Sequence, residues 1–217
     1  MDNIKVIAED VRAILDETNR VREQALQMSR EVIRLSANSI RASHREEFDE
    51  ACELKSQARQ KVDETRELLC EKREIYYTGY VQDAQKEYAE SELTYAIIRE
   101  QQFPEPSDLG VEAPAYINGL AEAIGESRRH VLDVMRLGDM ERAERILTIM
   151  DDVYYTLITF DYPDAVTQGL RRQTDMVRGV LERTRGDLTL LQEQRRLEQQ
   201  QRYLQDAIES AVNKLQS

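Results

Sequence analysis

The chain has 217 residues, a formal net charge of −12 and 33% charged residues, but only eight glycines and four prolines. Such an acidic balance argues against extensive phosphate binding, so any contact with nucleic acid has to be local. Many charged residues, few glycines and no periodic strand pattern are typical of long helices. The sequence has neither an apolar run of about 18 residues nor a basic segment followed by an apolar one, so we expect a cytoplasmic protein without a membrane partner.

The first predicted element is a long helix from about Asp2 to Ser43. Apolar residues recur every three or four positions from Ile4 to Leu35. This spacing is a heptad seam, and a seam of this length needs a partner helix.

The same segment carries a basic stripe, which comprises Arg30, Arg34, Arg41 and Arg45. These arginines are spaced by 4, 7 and 4 residues, so a continuous helix places them on one face. Guanidinium groups suit phosphate oxygens, which makes the basic stripe a candidate nucleic-acid-binding surface. The alternative is a set of surface cations that complement the C-terminal end of the helix dipole.

A second amphipathic helix is expected from Arg45 to about Arg73, and Gly79 marks a bend before the next helix. Cys52 and Cys70 lack the spacing of metal ligands. We expect both to be reduced, partly buried thiols without a disulfide.

The helix that follows Gly79 and ends near Gln102 places acidic residues between two apolar stripes. At about 100° per residue, Glu87 and Glu90 lie on the flank of a stripe that contains Tyr88, while Ile97 lies on their far side. We therefore expect this helix to be buried on two sides. A pair of glutamates three residues apart is usually a solvated face, and the alternative is one half of a divalent-metal site.

A loop is expected at Phe103–Pro114, where three of the four prolines lie. The helix after it should end at Gly138, and Asp139 is a candidate N-cap for the next one.

The helix before Gly138 carries Glu122 and Glu126 one turn apart, on the face opposite its apolar stripe. Gly119 and Gly125 lie beside them, although a glycine inside a helix costs about 1 kcal/mol relative to alanine. Their presence suggests that another group approaches this backbone closely.

An apolar helix from Glu141 to Phe160 should be central, and it should stop before Pro163. A last helix, for which Asp164 is the expected cap, then runs to the end of the chain. Its heptad pattern is looser between Leu190 and Leu215, and such a tail commonly docks on a partner.

The chemistry of the chain depends on its carboxylates. His44 and His130 are the only histidines, and both are interpreted as surface residues. A ferritin-like di-iron bundle needs Glu-x-x-His pairs, which the chain lacks. What remains is a set of four glutamates: Glu87, Glu90, Glu122 and Glu126. Oxygen ligands suit Mg²⁺ or Mn²⁺, which keep several waters and recruit phosphates, so the set points to phosphodiester hydrolysis by a metal-activated water.

Three runs of the sequence carry a specific resemblance: TGYVQDAQKEYAESELTYAI, YINGLAEAIGESRRHVL and FDYPDAVTQGLRRQTDMVRGVLERTRGDL. They resemble the translin superfamily, in particular its prokaryotic members and the branch of translin-associated factor X, from about Arg30 to Leu188. The resemblance implies an all-α bundle of about six to seven helices in a single domain over residues 1–217. Segment 1–43 would be its long first helix, and segment 190–217 a C-terminal extension. It also implies hollow homo-oligomers, usually octamers, which handle single-stranded RNA or DNA inside.

In the branch of translin-associated factor X, a Glu-x-x-Glu on one helix and an acid pair on the next bind Mg²⁺ for endoribonuclease cleavage. The resemblance places these catalytic and metal-binding roles on Glu87, Glu90, Glu122 and Glu126. Family members often carry Asp at the position of Glu122. The glutamate of this chain has a side chain that is longer by one methylene. Translin itself lacks the full acid set and binds nucleic acid without cutting it.

Three functions of different classes remain open. The first is a Mg²⁺-dependent endoribonuclease, with Mn²⁺ as a substitute, that acts on single-stranded RNA as a homo-oligomer. The second is an oligomer that binds single-stranded DNA or RNA without turnover, in which the acids are a solvated face. The third is a coiled-coil scaffold built on the two terminal heptad segments.

Overall fold

The computed structural model describes residues 2–216, and this range contains nine helices and no strand. Three helices of four residues each connect the longer ones: α3 (Arg73–Tyr76), α5 (Pro106–Leu109) and α8 (Asp164–Thr167). The six long helices are α1 (Asp2–His44), α2 (Phe48–Leu68), α4 (Gly79–Ile98), α6 (Ala113–Leu137), α7 (Met140–Leu157) and α9 (Leu170–Gln216). The expected all-α bundle is confirmed.

Helix α4 lies at the centre of the bundle. It packs against α1, α2 and α6, and Tyr88, Leu93 and Ile97 are buried in one core that also contains residues of α7 and α9. The expectation that this helix is buried on two sides is confirmed. Helix α7, which was expected to be central, packs on α6 and α9 and buries Ile146 and Met150 in the same core, while Tyr155 on its outer face is exposed.

The helix boundaries follow local backbone chemistry. Gly138 adopts the left-handed conformation at the end of α6, and the carboxylate of Asp139 accepts a 3.0 Å hydrogen bond from the backbone N–H of Arg142. Both predicted signals are confirmed. The last helix does not begin at Asp164: α8 ends after one turn because Gln168 and Gly169 have φ of 54° and 95°, which turns the chain before α9.

Both terminal helices extend beyond the core. Within α1, residues 3–17 are exposed, and Ile4 and Ile14 are each 64% exposed. In α9, Leu190, Leu197, Leu204 and Ile208 are exposed as well. The side chains of Ala211 and Leu215, which complete the C-terminal pattern, lie outside the described residues. Within one chain, the described apolar positions of both overhangs are thus left uncovered.

Two further expectations concern single residues and the membrane. Cys52 and Cys70 are free thiols, but they are exposed rather than partly buried. Among the helices of the described part of the chain, none combines the length and apolarity that crossing a bilayer requires.

Candidate metal centre

Helices α4 and α6 approach each other closely at Gly119. A Cβ atom there would lie 2.8 Å from the carbonyl oxygen of Lys86 and 3.0 Å from the backbone nitrogen of Glu90. The predicted close approach is therefore confirmed at Gly119, where only hydrogen fits. It is wrong for Gly125, where no atom of another element lies within 4 Å of an added Cβ and which borders an open cleft.

Three of the four predicted glutamates come together beside this contact. One carboxylate oxygen each of Glu87, Glu90 and Glu122 lies within 4.8 Å of the other two. The spacing of three residues on α4 presents Glu87 and Glu90 to α6, and Gly119 brings Glu122 within reach of them. We call these three residues the carboxylate cluster.

The carboxylate cluster is electrostatically unfavourable when all three of its members are ionised. Burial, together with the negative charges of Glu87, Glu122 and Glu126, raises the pKa of Glu90 to about 8. Burial also raises the pKa of Glu87, to which the charge of Glu122 adds. Desolvation and like charges both disfavour the ionised carboxylate, so an added positive charge would stabilise the ionised cluster.

Two donors hold Glu122 in place. Nζ of Lys86 lies 2.9 Å from Oε1 of Glu122 and 3.6 Å from Oε1 of Glu87. The side-chain amide of Gln173 donates a 2.8 Å hydrogen bond to Oε1 of Glu122. Sequence reasoning missed both residues. Lys86 adjoins Glu87 in the chain and is a findable signal, whereas Gln173 is 51 residues away on α9.

Glu126 lies outside the carboxylate cluster and bonds a histidine instead. Oε2 of Glu126 is 2.6 Å from Nε2 of His44, whose side chain is only 3% exposed. This hydrogen bond lowers the pKa of Glu126 below its usual value. Glu126 remains close enough for its charge to act on Glu90.

The interpretation of both histidines as surface residues is wrong. His44 reaches from α1 into the contact with α6, and its ring centroid lies 6.3 Å from that of His130. His130 is 3% exposed, and burial lowers its pKa to about 4. A lone histidine in a helical pattern carries no periodic signal, so its position follows from tertiary packing alone.

The carboxylate cluster opens into a cleft of about 890 Å³ at the turn between α8 and α9. Arg172 is the one basic side chain in its lining, which is otherwise formed by Glu90, Glu122, Gly125, Gln168, Gly169, Gln173 and Met176. A cleft of this size next to acids and an arginine can admit a phosphate-bearing segment.

The basic stripe is exposed along one face of α1 and ends beside His44. Arg45 follows the helix end and pairs with Glu47 and Glu50, while Arg41 donates to the side chain of Asn38. Arg30 and Arg34 form no ion pair within the described residues. These two arginines are therefore the members of the stripe with the most freedom to bind an external anion.

Comparison with known proteins adds an independent line of evidence. No protein-family model matches the chain. An uncharacterized protein of Methanocaldococcus jannaschii is 35% identical over 169 residues, which are 77% of this chain and 75% of the relative.

Three solved structures share the fold. The crystal structure of AfC3PO matches with a TM-score of 0.80 and 33% identity, over 86% of this chain and 97% of that chain. AfC3PO in complex with duplex RNA matches with a TM-score of 0.74 and 34% identity, over the same shares of both chains. Apo-NeC3PO matches over 84% of this chain and 96% of that chain with a TM-score of 0.77, and at 20% identity it shows the fold alone. By its fold and by its identity to the AfC3PO structures, the chain belongs to the translin superfamily.

Proposed function

We propose that the protein is a divalent-metal-dependent endoribonuclease of the type of translin-associated factor X, which cleaves single-stranded RNA inside a homo-oligomer. One observation carries the proposal: carboxylate oxygens of Glu87, Glu90 and Glu122 lie within 4.8 Å of one another at the wall of a cleft. With Glu126 beside them, they are the same four residues that the sequence singles out.

The donor set fits Mg²⁺ or Mn²⁺. All the candidate ligands are carboxylate oxygens, the ligand type that these hard cations prefer. The raised pKa of Glu90, caused by burial and by its acidic neighbours, is relieved when a cation shares the cluster. Glu87, Glu90 and Glu122 would hold the ion directly. Glu126 would complete the set from its position against His44.

The side chains of this protein would divide the work of the reaction. A bound Mg²⁺ supplies a water of lowered pKa and neutralises charge on the phosphate. Gln173 holds the carboxylate of Glu122, so this ligand is oriented before substrate arrives. The hydrogen bond with His44 lowers the pKa of Glu126 and favours its ionised carboxylate, which suits a metal ligand. Arg172 faces the same cleft and attracts the RNA phosphates.

RNA binding and self-association are part of the proposal. AfC3PO has been solved with duplex RNA, and the exposed Arg30 and Arg34 give this chain a local basic surface despite its net charge of −12. The exposed apolar seams of α1 and α9 supply surface for packing between copies. We propose an octamer with single-stranded RNA, and secondarily single-stranded DNA, bound in its interior.

The decisive experiment measures metal binding and cleavage in parallel. Mn²⁺ binding is followed by electron paramagnetic resonance, and cleavage with a fluorescent single-stranded RNA. The parent should bind Mn²⁺ and cut, Glu87→Gln should bind it weakly, and Glu126→Ala should abolish cleavage with unchanged helix content. Glu67→Gln, which changes an exposed acid on α2, should match the parent. Cleavage by Glu126→Ala at the parental rate would contradict the assignment.

A second candidate is a translin-type oligomer that binds single-stranded RNA or DNA without cutting. It is favoured by the ion pair of Lys86 with Glu122, because an ammonium group already neutralises part of the carboxylate cluster. Tight RNA binding by a parent protein that neither binds Mn²⁺ nor cuts would support this candidate.

A further inference from the structure

We infer that Lys86 is a competing cation at the carboxylate cluster. In the metal-free protein its ammonium group neutralises Glu87 and Glu122, and when a divalent ion is held there the same group turns toward the phosphate of the RNA in the cleft. The inference rests on the proposed function and adds to it a residue that contacts the substrate.

The position of the ammonium group carries the first half of the inference. Nζ of Lys86 is 2.9 Å from Oε1 of Glu122 and 3.6 Å from Oε1 of Glu87. These carboxylates supply two of the three clustered groups that offer an oxygen to an ion. The lysine therefore occupies the same negative potential that a metal ion would use.

The backbone of Lys86 is held at a helix contact, whereas its long side chain has several rotamers available to it. Its carbonyl oxygen lies against Gly119, where an added Cβ would be only 2.8 Å away. The main chain at this position is thus set by the contact between α4 and α6. A lysine side chain has a flexible stem of four carbons, so rotation about its bonds can move the ammonium group away from Glu122 without any shift of the helices.

If Lys86 and a metal ion compete for the same carboxylate oxygen, removing the ammonium charge changes the metal affinity in a defined direction. A divalent ion held by Glu122 is repelled by an ammonium group at hydrogen-bond distance from the same carboxylate, and this repulsion is weakly screened at a partly buried position. Removing the ammonium charge should therefore tighten metal binding. A lysine that only ties α4 to α6 predicts the opposite, because its loss would release Glu122 and weaken the site.

The second half of the inference concerns the displaced ammonium group. Glu122 lines the cleft in which Arg172 is the one basic residue. A lysine turned away from Glu122 into this cleft adds a second positive charge beside the carboxylates. Positive groups placed where charge builds on the reacting phosphate accelerate cleavage. Lys86 would thus serve as a catalytic residue during turnover and as a counter-ion between turnovers.

The test compares Lys86→Met, Lys86→Gln and Lys86→Arg with the full-length parent. Mn²⁺ affinity is measured without RNA, and single-turnover cleavage is measured at saturating Mn²⁺. For Lys86→Met the dissociation constant for Mn²⁺ should fall about three- to tenfold, as expected for the loss of one nearby unit charge. Its cleavage rate should fall about tenfold or more. Lys86→Arg, which keeps the charge, should bind Mn²⁺ as the parent does and retain more activity.

The matched control is Lys61→Met. Lys61 also lies between two acids, Glu64 at 2.7 Å and Glu31 at 3.8 Å, but away from the cleft, so both measurements should stay at the parental level. Lys86→Gln preserves a donor toward Glu122 and should repeat the gain in Mn²⁺ affinity if Lys86→Met is poorly folded by circular dichroism.

The outcomes separate the inference from the proposed function. A parent that binds no Mn²⁺ overturns both. A parent that binds Mn²⁺, together with Lys86 variants that bind it equally well or more weakly, overturns only the inference and makes Lys86 a structural tie. Tighter Mn²⁺ binding combined with parental cleavage overturns the catalytic role of Lys86.

Discussion

Among the four candidate metal ligands, Glu90 is the side chain whose pKa is raised most. It is the most buried member of the carboxylate cluster, and burial together with the charges of Glu87, Glu122 and Glu126 raises its pKa to about 8. Without a metal ion, the neutral form of this carboxyl group is therefore favoured at neutral pH.

The raised pKa of Glu90 predicts how stability varies with pH in the metal-free protein. The unfolded chain loses this proton near its ordinary pKa of 4.5, whereas the folded protein keeps it until about 8. The folded state is therefore favoured below pH 4.5 and loses this contribution as the pH rises to 8. Glu90→Gln removes the titration, so its melting temperature in EDTA should exceed that of the parent at about pH 8.5 but not at about pH 4.5.

Glu126→Gln is the control for this measurement. The hydrogen bond from His44 lowers the pKa of Glu126, so its ionised form stabilises the fold above the unfolded pKa and the variant should melt below the parent at about pH 8.5. A difference between Glu90→Gln and the parent that does not change with pH would rule out the buried acid as its cause.

At the residue scale, the sequence predicts the candidate metal ligands better than the side chains that hold these ligands in place. The spacing of Glu87 and Glu90 on one helix and of Glu122 and Glu126 on another is visible in the sequence, and the resemblance assigns all four a role in metal binding. The partners of these acids are not visible, because the contacts of Lys86 and Gln173 with Glu122 and of His44 with Glu126 join positions 36, 51 and 82 residues apart. Such pairs are created by the packing of α1, α4, α6 and α9.

At the element scale, the contact between α4 and α6 makes a testable distinction between two glycines. Gly119→Ala places a methyl group 2.8 Å from the carbonyl oxygen of Lys86. We expect a net loss of about 1–3 kcal/mol in unfolding free energy from overpacking and weaker Mn²⁺ binding, because the helices that carry the acids are pushed apart. Chemical denaturation and Mn²⁺ titration measure the two effects.

Gly125→Ala is the matched control on the same helix. Nothing lies within 4 Å of its added methyl group, so the helix propensity of alanine should stabilise the protein by up to about 1 kcal/mol. Equal behaviour of the two variants would show that Gly119 does not set the distance between α4 and α6. The sequence alone does not distinguish the two glycines, because the available space at each depends on which face of α6 packs against α4.

The basic stripe of α1 yields a prediction about salt dependence. Replacing Arg30 and Arg34 with Gln should weaken single-stranded RNA binding, because fewer phosphates are then neutralised by the protein. The slope of log affinity against log salt should become shallower by about 0.7 for each phosphate that is no longer bound. Fluorescence anisotropy between low and moderate salt measures this slope.

Arg20→Gln is the control for the basic stripe. Arg20 lies nearer the N-terminus of α1, and its guanidinium group is 2.6 Å from the carboxylate of Glu17. Its replacement should therefore leave the slope unchanged. If replacing Arg30 and Arg34 also leaves the slope unchanged, they are surface cations that do not contact the RNA phosphates.

At the scale of the whole molecule, the exposed overhangs predict assembly. Ile4, Val11 and Ile14 are between 49% and 64% exposed in one chain, and obligate interfaces that cover such seams usually exceed about 2,000 Å². Light scattering coupled to gel filtration should therefore report a multiple of 25.3 kDa even at salt concentrations that release RNA. Replacing Val11 and Ile14 with Asp should reduce that mass. A folded 25.3 kDa species from the parent would contradict the enclosed assembly.

The long helices and the two overhangs could be predicted from periodicity, because a heptad seam longer than the core is visible as an excess of apolar positions. The break at Gln168 and Gly169 could not, since Gln168 is an unusual residue for the left-handed conformation. That turn forms one wall of the cleft. The shape of the candidate site therefore depends on a turn that the sequence does not predict.

The continuity of α1 has a mechanical consequence. The helix runs unbroken through 43 residues from Asp2 to His44, a span of about 65 Å at 1.5 Å per residue. One end presents the apolar overhang, the middle and far end carry the basic stripe, and the last residue bonds Glu126. Because a helix resists compression along its axis, α1 links the apolar overhang rigidly to His44. We expect a displacement that a neighbouring copy imposes on the overhang to be transmitted along α1 to Glu126, which borders the carboxylate cluster.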